Sequence, residues 1–309
     1  MKKKYISRIL AAILSFSICI FAISGCIKGT GDDKDEDESS DKSDEKANEE
    51  SGKEKRVLLI SIDGLRADAI ENTEYGRYLL ENSAYSLEVT TVTPSITLPC
   101  HMSMFHSVTP EAHGVTANVY TPSESLGYGI TEALKEGGKT SAIFYNWKEI
   151  GHLVTEGSTE NAKYIAGETE GWEEANAMIG EACIEHILNT PTDFTFLYLG
   201  FLDEWGHANG WLSEKYYYAL NESFSLIERV IEAAKVQNYT VIITSDHGGH
   251  DFTHGSEMKE DMTIPLFIIG DGFERGSSLG PRSILDVAPT VAKIIGTPAP
   301  DYWQGKAVN

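Results

Sequence analysis

Three short apolar runs in this chain are each followed within a few residues by an aspartate. Val57-Leu58-Leu59-Ile60-Ser61-Ile62 leads into Asp63-Gly64. Phe194 to Leu199 leads through Gly200-Phe201-Leu202 to Asp203, and Thr240-Val241-Ile242-Ile243-Thr244 leads into Ser245-Asp246-His247-Gly248. A continuous apolar run of this length fits a strand buried on both faces. Further runs at Ser141 to Tyr145 and Ile264 to Ile269 read the same way. Between them lie helical stretches at Ile130 to Glu136, Glu173 to Leu188 and Ser213 to Val236, and Leu285 to Ile295 closes the chain. Strands alternating with helices predict an α/β fold with a mostly parallel central sheet and helices on both faces. In such sheets functional groups gather beyond the carboxyl ends of the strands, where the three aspartates fall.

The expected domain covers residues 56–309, about the size of one α/β unit. What precedes it has a different composition. Residues 1–25 read as a secretory signal, with Lys2, Lys3, Lys4 and Arg8 before the apolar run Ile9 to Ile23. Ile23-Ser24-Gly25-Cys26 has the small residues of a lipoprotein cleavage site, which makes Cys26 the expected lipidated terminus and the membrane its anchor. The protein is therefore expected outside the cytoplasm. Residues 26–55, including DDKDEDESSDKSDEKANEES, have almost no apolar side chains and read as an acidic, disordered tether. The formal net charge of −22 argues against a nucleic-acid-binding surface, which needs a basic face. Cys100 and Cys183 are too few for a disulfide framework.

One aspartate at a strand end is usually a cap or turn residue. Three, joined by His207 four residues after Asp203 and by His247 beside Asp246, point instead to metal. Carboxylate and imidazole donors suit zinc first, with manganese or another divalent ion also accommodated. Two ions ~3.5–4 Å apart need several protein ligands each. Asp63, Asp203, His207, Asp246 and His247, with His250 or His254 as a further donor, would fill most of that shell.

The segments LISIDGLRAD, TPSITLPCHMSMFHSVTPEAHGV, FLDEWGHANG, SDHGGH, THGSEMKEDMTIPLFI and DVAPTVAKIIG together resemble the alkaline phosphatase superfamily, in its nucleotide pyrophosphatase/phosphodiesterase branch. The resemblance implies an alkaline-phosphatase-like fold and hydrolysis of phosphodiester or pyrophosphate bonds in a small substrate. It further implies one divalent ion on Asp63, Thr97, Asp246 and His247 and a second on Asp203, His207 and His254. Thr97 would be nucleophile as well as ligand and would carry a covalent phosphoryl group, at the start of a helix from about Leu98 to His106.

The resemblance also implies an asparagine, donating to a phosphoryl oxygen, where this chain has Cys100. A thiol is a weak donor, so Cys100 is expected as a weakened substrate contact. A sulfatase would need Pro or Ala and then Arg after such a cysteine, and Cys100-His101-Met102-Ser103-Met104 has neither. His106 and His113 read as structural, and His101 as a brace or substrate donor. Trp205, between two expected ligands, reads as a substrate-binding rim residue. Rival readings are phosphomonoesterase, phosphonate hydrolase or phospho-group transferase chemistry in the same fold, or a metal-binding lipoprotein without catalysis. A mutase is disfavoured because the chain leaves no room for an inserted cap domain.

Overall fold

The computed structural model describes residues 55–121 and 126–309; the signal, the tether and Cys26 lie outside the described residues. Strands and longer helices follow in the order β1 (Arg56–Ile62), α1 (Glu74–Asn82), β2 (Ala84–Thr90), α2 (Thr97–His106), α3 (Ile130–Glu136), β3 (Ser141–Tyr145), β4 (Asn161–Tyr164) and α4 (Trp172–Asn189). They continue with β5 (Phe194–Leu199), α5 (Phe201–Asn209), α6 (Glu214–Val236), β6 (Tyr239–Thr244), β7 (Thr263–Ile269), β8 (Arg282–Ser283) and α7 (Val287–Ile295). The eight strands form one sheet in the order β4-β3-β5-β1-β6-β7-β2-β8.

The strand alternation explains why the central runs are apolar throughout. Val57 and Leu59 face one cluster with Leu98, Met102 and Phe105 of α2 and Val291 of α7. Leu58, Ile60 and Ile62 face the other, with Ile179 of α4 and Ile227 and Val230 of α6. Each such side chain contributes roughly 1.5–3 kcal/mol on burial, so neither face of β1 tolerates a polar residue without a partner. Ser61 and Asp63 share the parity of Val57 and Leu59, which turns both towards α2.

The sheet is parallel across β4, β3, β5, β1 and β6, while β7 pairs antiparallel with β6 and with β2. A parallel successor would need a crossover that carries the chain back to the opposite edge. The reversed β7 needs none, so the connection from β6 begins and ends at the carboxyl edge. Asp63, Asp203 and Asp246 follow the ends of β1, β5 and β6, and Thr97 follows β2, whose end lies at the same edge. Gly64 lets two of these ends meet. Its φ is +69°, and a Cβ there would stand 3.0 Å from Asp203 Oδ1 and 3.1 Å from Asp203 Cα.

Among the described residues no helix is long and apolar enough to cross a membrane. Cys100 and Cys183 are buried and unpaired.

Candidate active site

His247, at the end of β6, stands at the middle of the inner part of the site. Its Nδ1 donates to Gly248 O at 2.8 Å, which leaves Nε2 with its lone pair directed inward. Three oxygens surround that nitrogen: Thr97 Oγ1 at 3.2 Å, Asp246 Oδ2 at 3.2 Å and Asp63 Oδ1 at 3.3 Å. Asp63 Oδ1 and Asp246 Oδ2 are buried without any hydrogen-bond partner. The opposite carboxylate oxygens are taken: Tyr198 donates to Asp63 Oδ2, and Gly64 N–H donates to Asp246 Oδ1 at 3.3 Å. Buried acceptors left bare in this way are costly. A single N–H on His247 could serve one of them; a cation among the four atoms serves all.

The outer part follows the same rule. Asp203 and His207 lie four residues apart on α5 and so share a face, with His207 Nε2 3.4 Å from Asp203 Oδ2. His254, from the β6–β7 connection, places Nε2 3.8 Å from Asp203 Oδ1, another buried oxygen without a partner. His207 and His254 donate from Nδ1 to Phe252 O and Ser95 O, each at 2.9 Å. All three imidazoles are thus held by a backbone carbonyl with Nε2 turned to carboxylates, the arrangement typical of metal-ligating histidines. The His247 and His254 rings stack at 3.7 Å and 13°, joining the two parts.

Electrostatics agree. Burial, then the charges of Asp246 and Asp203, pushes the Asp63 carboxyl well above the usual range. Burial, followed by Asp246 and Glu204, does the same to Asp203. Burial also opposes ionisation of Asp246, yet His247 and His101 hold it below the ordinary value. Burial and His247 push His254 down to about 3, so its imidazole is neutral and able to ligate. Among the described residues no Lys or Arg is salt-bridged to these three carboxylates, and a divalent ion fits the site they form. The residue groups Asp203, His207, His254 and Asp63, Asp203, His247 each bring three donor atoms within ligating range of one another.

Every expected metal donor is brought to this one place. His250 is drawn elsewhere, donating from Nδ1 to Asp261 Oδ1 at 2.7 Å. His101 lies beneath the site, with Nδ1 donating to Thr97 O at 2.8 Å and Nε2 accepting from Ser61 Oγ at 2.9 Å. His106 bonds Gly127 O, and His113 bonds Ser103 Oγ and Val115 N.

Two residues expected to contact substrate, Cys100 and Trp205, face away from the donor cluster. Cys100 is fully buried among core side chains, and its sulfur accepts from Thr91 Oγ1 at 3.2 Å. Burial, then Asp246, pushes its thiol well up. Three residues along the helix from Thr97, it points down into the packing rather than out of the site. Trp205 fails for a related reason. It lies two residues from Asp203 on α5, hence on the opposite side of the helix, and packs against Phe201 and Tyr218.

Two residues at the site escaped the sequence reading. Asn118 accepts from Leu98 N–H through Oδ1 at 2.9 Å, which fixes its exposed amide beside the first turn of α2. No residue pattern marks it; only the fold brings it there. Tyr198 sits inside an apolar strand, and the signal was available: a buried tyrosine hydroxyl needs an acceptor.

Residues 57–263 match the family model for type I phosphodiesterase / nucleotide pyrophosphatase. The chain belongs to this family. The human GPI ethanolamine phosphate transferase 2 catalytic subunit is 24% identical over 264 residues, covering 79% of this chain and 27% of that subunit. The chain thus spans about a quarter of that relative's length. Murine ectonucleotide pyrophosphatase/phosphodiesterase 5, solved as an inactive threonine-to-alanine variant in complex with AMP, superimposes with a TM-score of 0.67 at 16% identity, covering 82% of this chain and 98% of that one. A phosphonate monoester hydrolase from Silicibacter pomeroyi gives 0.65 at 14% identity, covering 82% and 76%. The fold is alkaline-phosphatase-like, as in these neighbours.

Proposed function

We propose that the protein hydrolyses phosphodiester or pyrophosphate bonds with two divalent ions and a covalent phospho-Thr97 intermediate. The observation that carries this reading is the set of buried, unpartnered oxygens of Asp63 and Asp246 around His247 Nε2, with the Thr97 hydroxyl in the same ring. Asp63, Thr97, Asp246 and His247 would hold one ion and Asp203, His207 and His254 the other, zinc first by donor chemistry. Bound there, the ions would lower the pKa of the Thr97 hydroxyl and neutralise charge growing on the phosphoryl oxygens.

The chain's own groups do the rest. Thr97 Oγ1 forms the bond to phosphorus as the alcohol or phosphate leaving group departs, and water then attacks the phospho-threonine and restores the hydroxyl. Thr97 is the first residue of α2, so the positive end of that helix faces the transferred group. Asn118, anchored through Oδ1, offers its Nδ2 to a phosphoryl oxygen. Arg66 is occupied by Asp68 and Gly249 O. With that guanidinium taken, a singly charged diester is favoured over a dianionic monoester. A threonine-to-alanine change inactivates the murine relative that binds AMP, which supports the same nucleophile here and a nucleotide-like substrate.

A second reading keeps the first half-reaction and replaces water by an alcohol acceptor. The alignment with an ethanolamine phosphate transferase subunit over 79% of this chain favours including it. Both are tested together: the full chain is assayed on aryl phosphodiester, monoester and phosphonate esters, with and without an added alcohol. Diester turnover that disappears in Thr97→Ala, at unchanged metal content, is expected. Retained turnover in that variant would remove Thr97 as nucleophile. Phosphoryl products on the alcohol would select transfer over hydrolysis. We place the catalytic unit outside the cytoplasm, tethered through a lipid on Cys26. Labelled fatty acid should enter the chain and be lost in Cys26→Ala.

A further inference from the structure

Tyr198 occupies a place where the fold asks only for a hydrocarbon. It lies in β5, pairs in register with Ser61 of β1 and is 2% exposed. Its hydroxyl reaches along β1 to donate to Asp63 Oδ2. The other oxygen of the same carboxylate, Oδ1, has no partner and lies 3.3 Å from His247 Nε2. The carboxylate is therefore divided, one oxygen on the tyrosine and the other facing the donor cluster.

The surroundings hold the tyrosine in that pose. The His101 ring meets it edge-on at 5.3 Å and 71°, and His101 is itself fixed at both nitrogens by Thr97 O and Ser61 Oγ. On another side is Gly200, where a Cβ would stand 3.2 Å from the Tyr198 hydroxyl and 2.7 Å from the Trp172 ring. A phenylalanine would fill the same volume, so packing does not explain the hydroxyl.

We propose that Tyr198 is a positioning residue for the inner ion: its hydroxyl holds Asp63 so that Oδ1 alone is presented to the metal. The proposal rests on the two-ion reading given above. Without the hydroxyl, the terminal torsion of Asp63 is less constrained, and Oδ2 loses the hydrogen bond from the tyrosine. Groups that orient metal ligands in this way are worth about 10–100-fold in metal affinity.

The test is an equilibrium titration of the full chain with zinc, and separately with manganese, against a chelating indicator. Tyr198→Phe removes one atom and keeps the ring. It is expected to weaken binding of one of the two ions by about 10–100-fold and to leave the other unchanged. It should also narrow the gap in thermal midpoint between metal-loaded and metal-free protein; a merely structural role would lower both midpoints together. Adding Tyr198→Phe to Asp63→Asn should leave the affinity where Asp63→Asn alone puts it. Unchanged affinity in Tyr198→Phe, or a further loss in the double variant, overturns the proposal. A wild-type chain that binds neither ion overturns the two-ion reading itself.

Discussion

Asp63, Thr97, Asp246 and His247 hang from strand ends and from the first turn of a helix, with exposures of 2%, 4%, 0% and 0%. Asp203, His207 and His254 come from a helix face and a loop, and the His207 side chain is 40% exposed. The inner half is braced from below by Tyr198 and His101. The outer half is braced by two loop carbonyls, Phe252 O and Ser95 O, rather than by the sheet. The contrast shows a division of labour. Sealed oxygens make the need for a cation acute, while the outer half stays open to solvent at His207.

The largest expected effect tests whether the inner half contains the nucleophile. Thr97→Ala should reduce diester turnover by at least about 10³-fold while metal content stays within error. Turnover measured alongside elemental analysis checks both.

Next comes the asymmetry between the halves. His247→Ala leaves Asp63 and Asp246 facing each other in a buried site, whereas His207→Ala leaves a partly solvated Asp203. Loss of metal affinity should be larger for the first, beyond the roughly 10–100-fold expected of a supporting group. Equal losses in a chelator competition would dissolve the distinction.

A third prediction concerns the far end of α2, away from both halves. His113 is buried, and burial, then His106, pushes its pKa down to about 4. It accepts from Val115 N–H through Nδ1, so it must stay neutral. The unfolded chain takes up this proton near pH 6.5 and the folded one only near 4. Its stabilisation is therefore present above about pH 6.5 and is lost as pH falls towards 4, on the order of 3 kcal/mol. Denaturant melts of metal-free wild type and His113→Gln should converge across that window; parallel curves would contradict it.

The smallest effect is expected at Cys100. Cys100→Ala should cost about 1–2 kcal/mol of stability through lost packing and leave KM for the diester unchanged. A raised KM would return the thiol to the substrate.

Much of the inner half was legible because parallel strands buried on both faces leave unbroken apolar runs, and the residue just past each run is placed by the sheet itself. Asp63, Asp246 and His247 are read from position alone. The outer half was legible only in its residue types. Phe201 to Asn209 reads as the aftermath of a strand, and its helix is hidden by Gly206 and by the short interval after Leu199. That miss explains the misplaced Trp205, which is near Asp203 along the chain and opposite it around the helix. Cys100 misled differently: the resemblance put a substrate-contacting asparagine at its place, while the fold turns that side of α2 into the core. β2, with its half-exposed alternation near the sheet edge, carried a weaker signal than the central runs.

The reversal of β7 has an architectural consequence. Because Ser245 to Met262 leaves and rejoins the sheet at one rim, its outermost turn at Asp251 and Phe252 is a port rather than a strut. The turn is closed by paired hydrogen bonds between His250 and Thr253, and Phe252 is 61% exposed at its tip. Residues grafted there would leave every strand in register, but would disturb the carbonyl that holds His207.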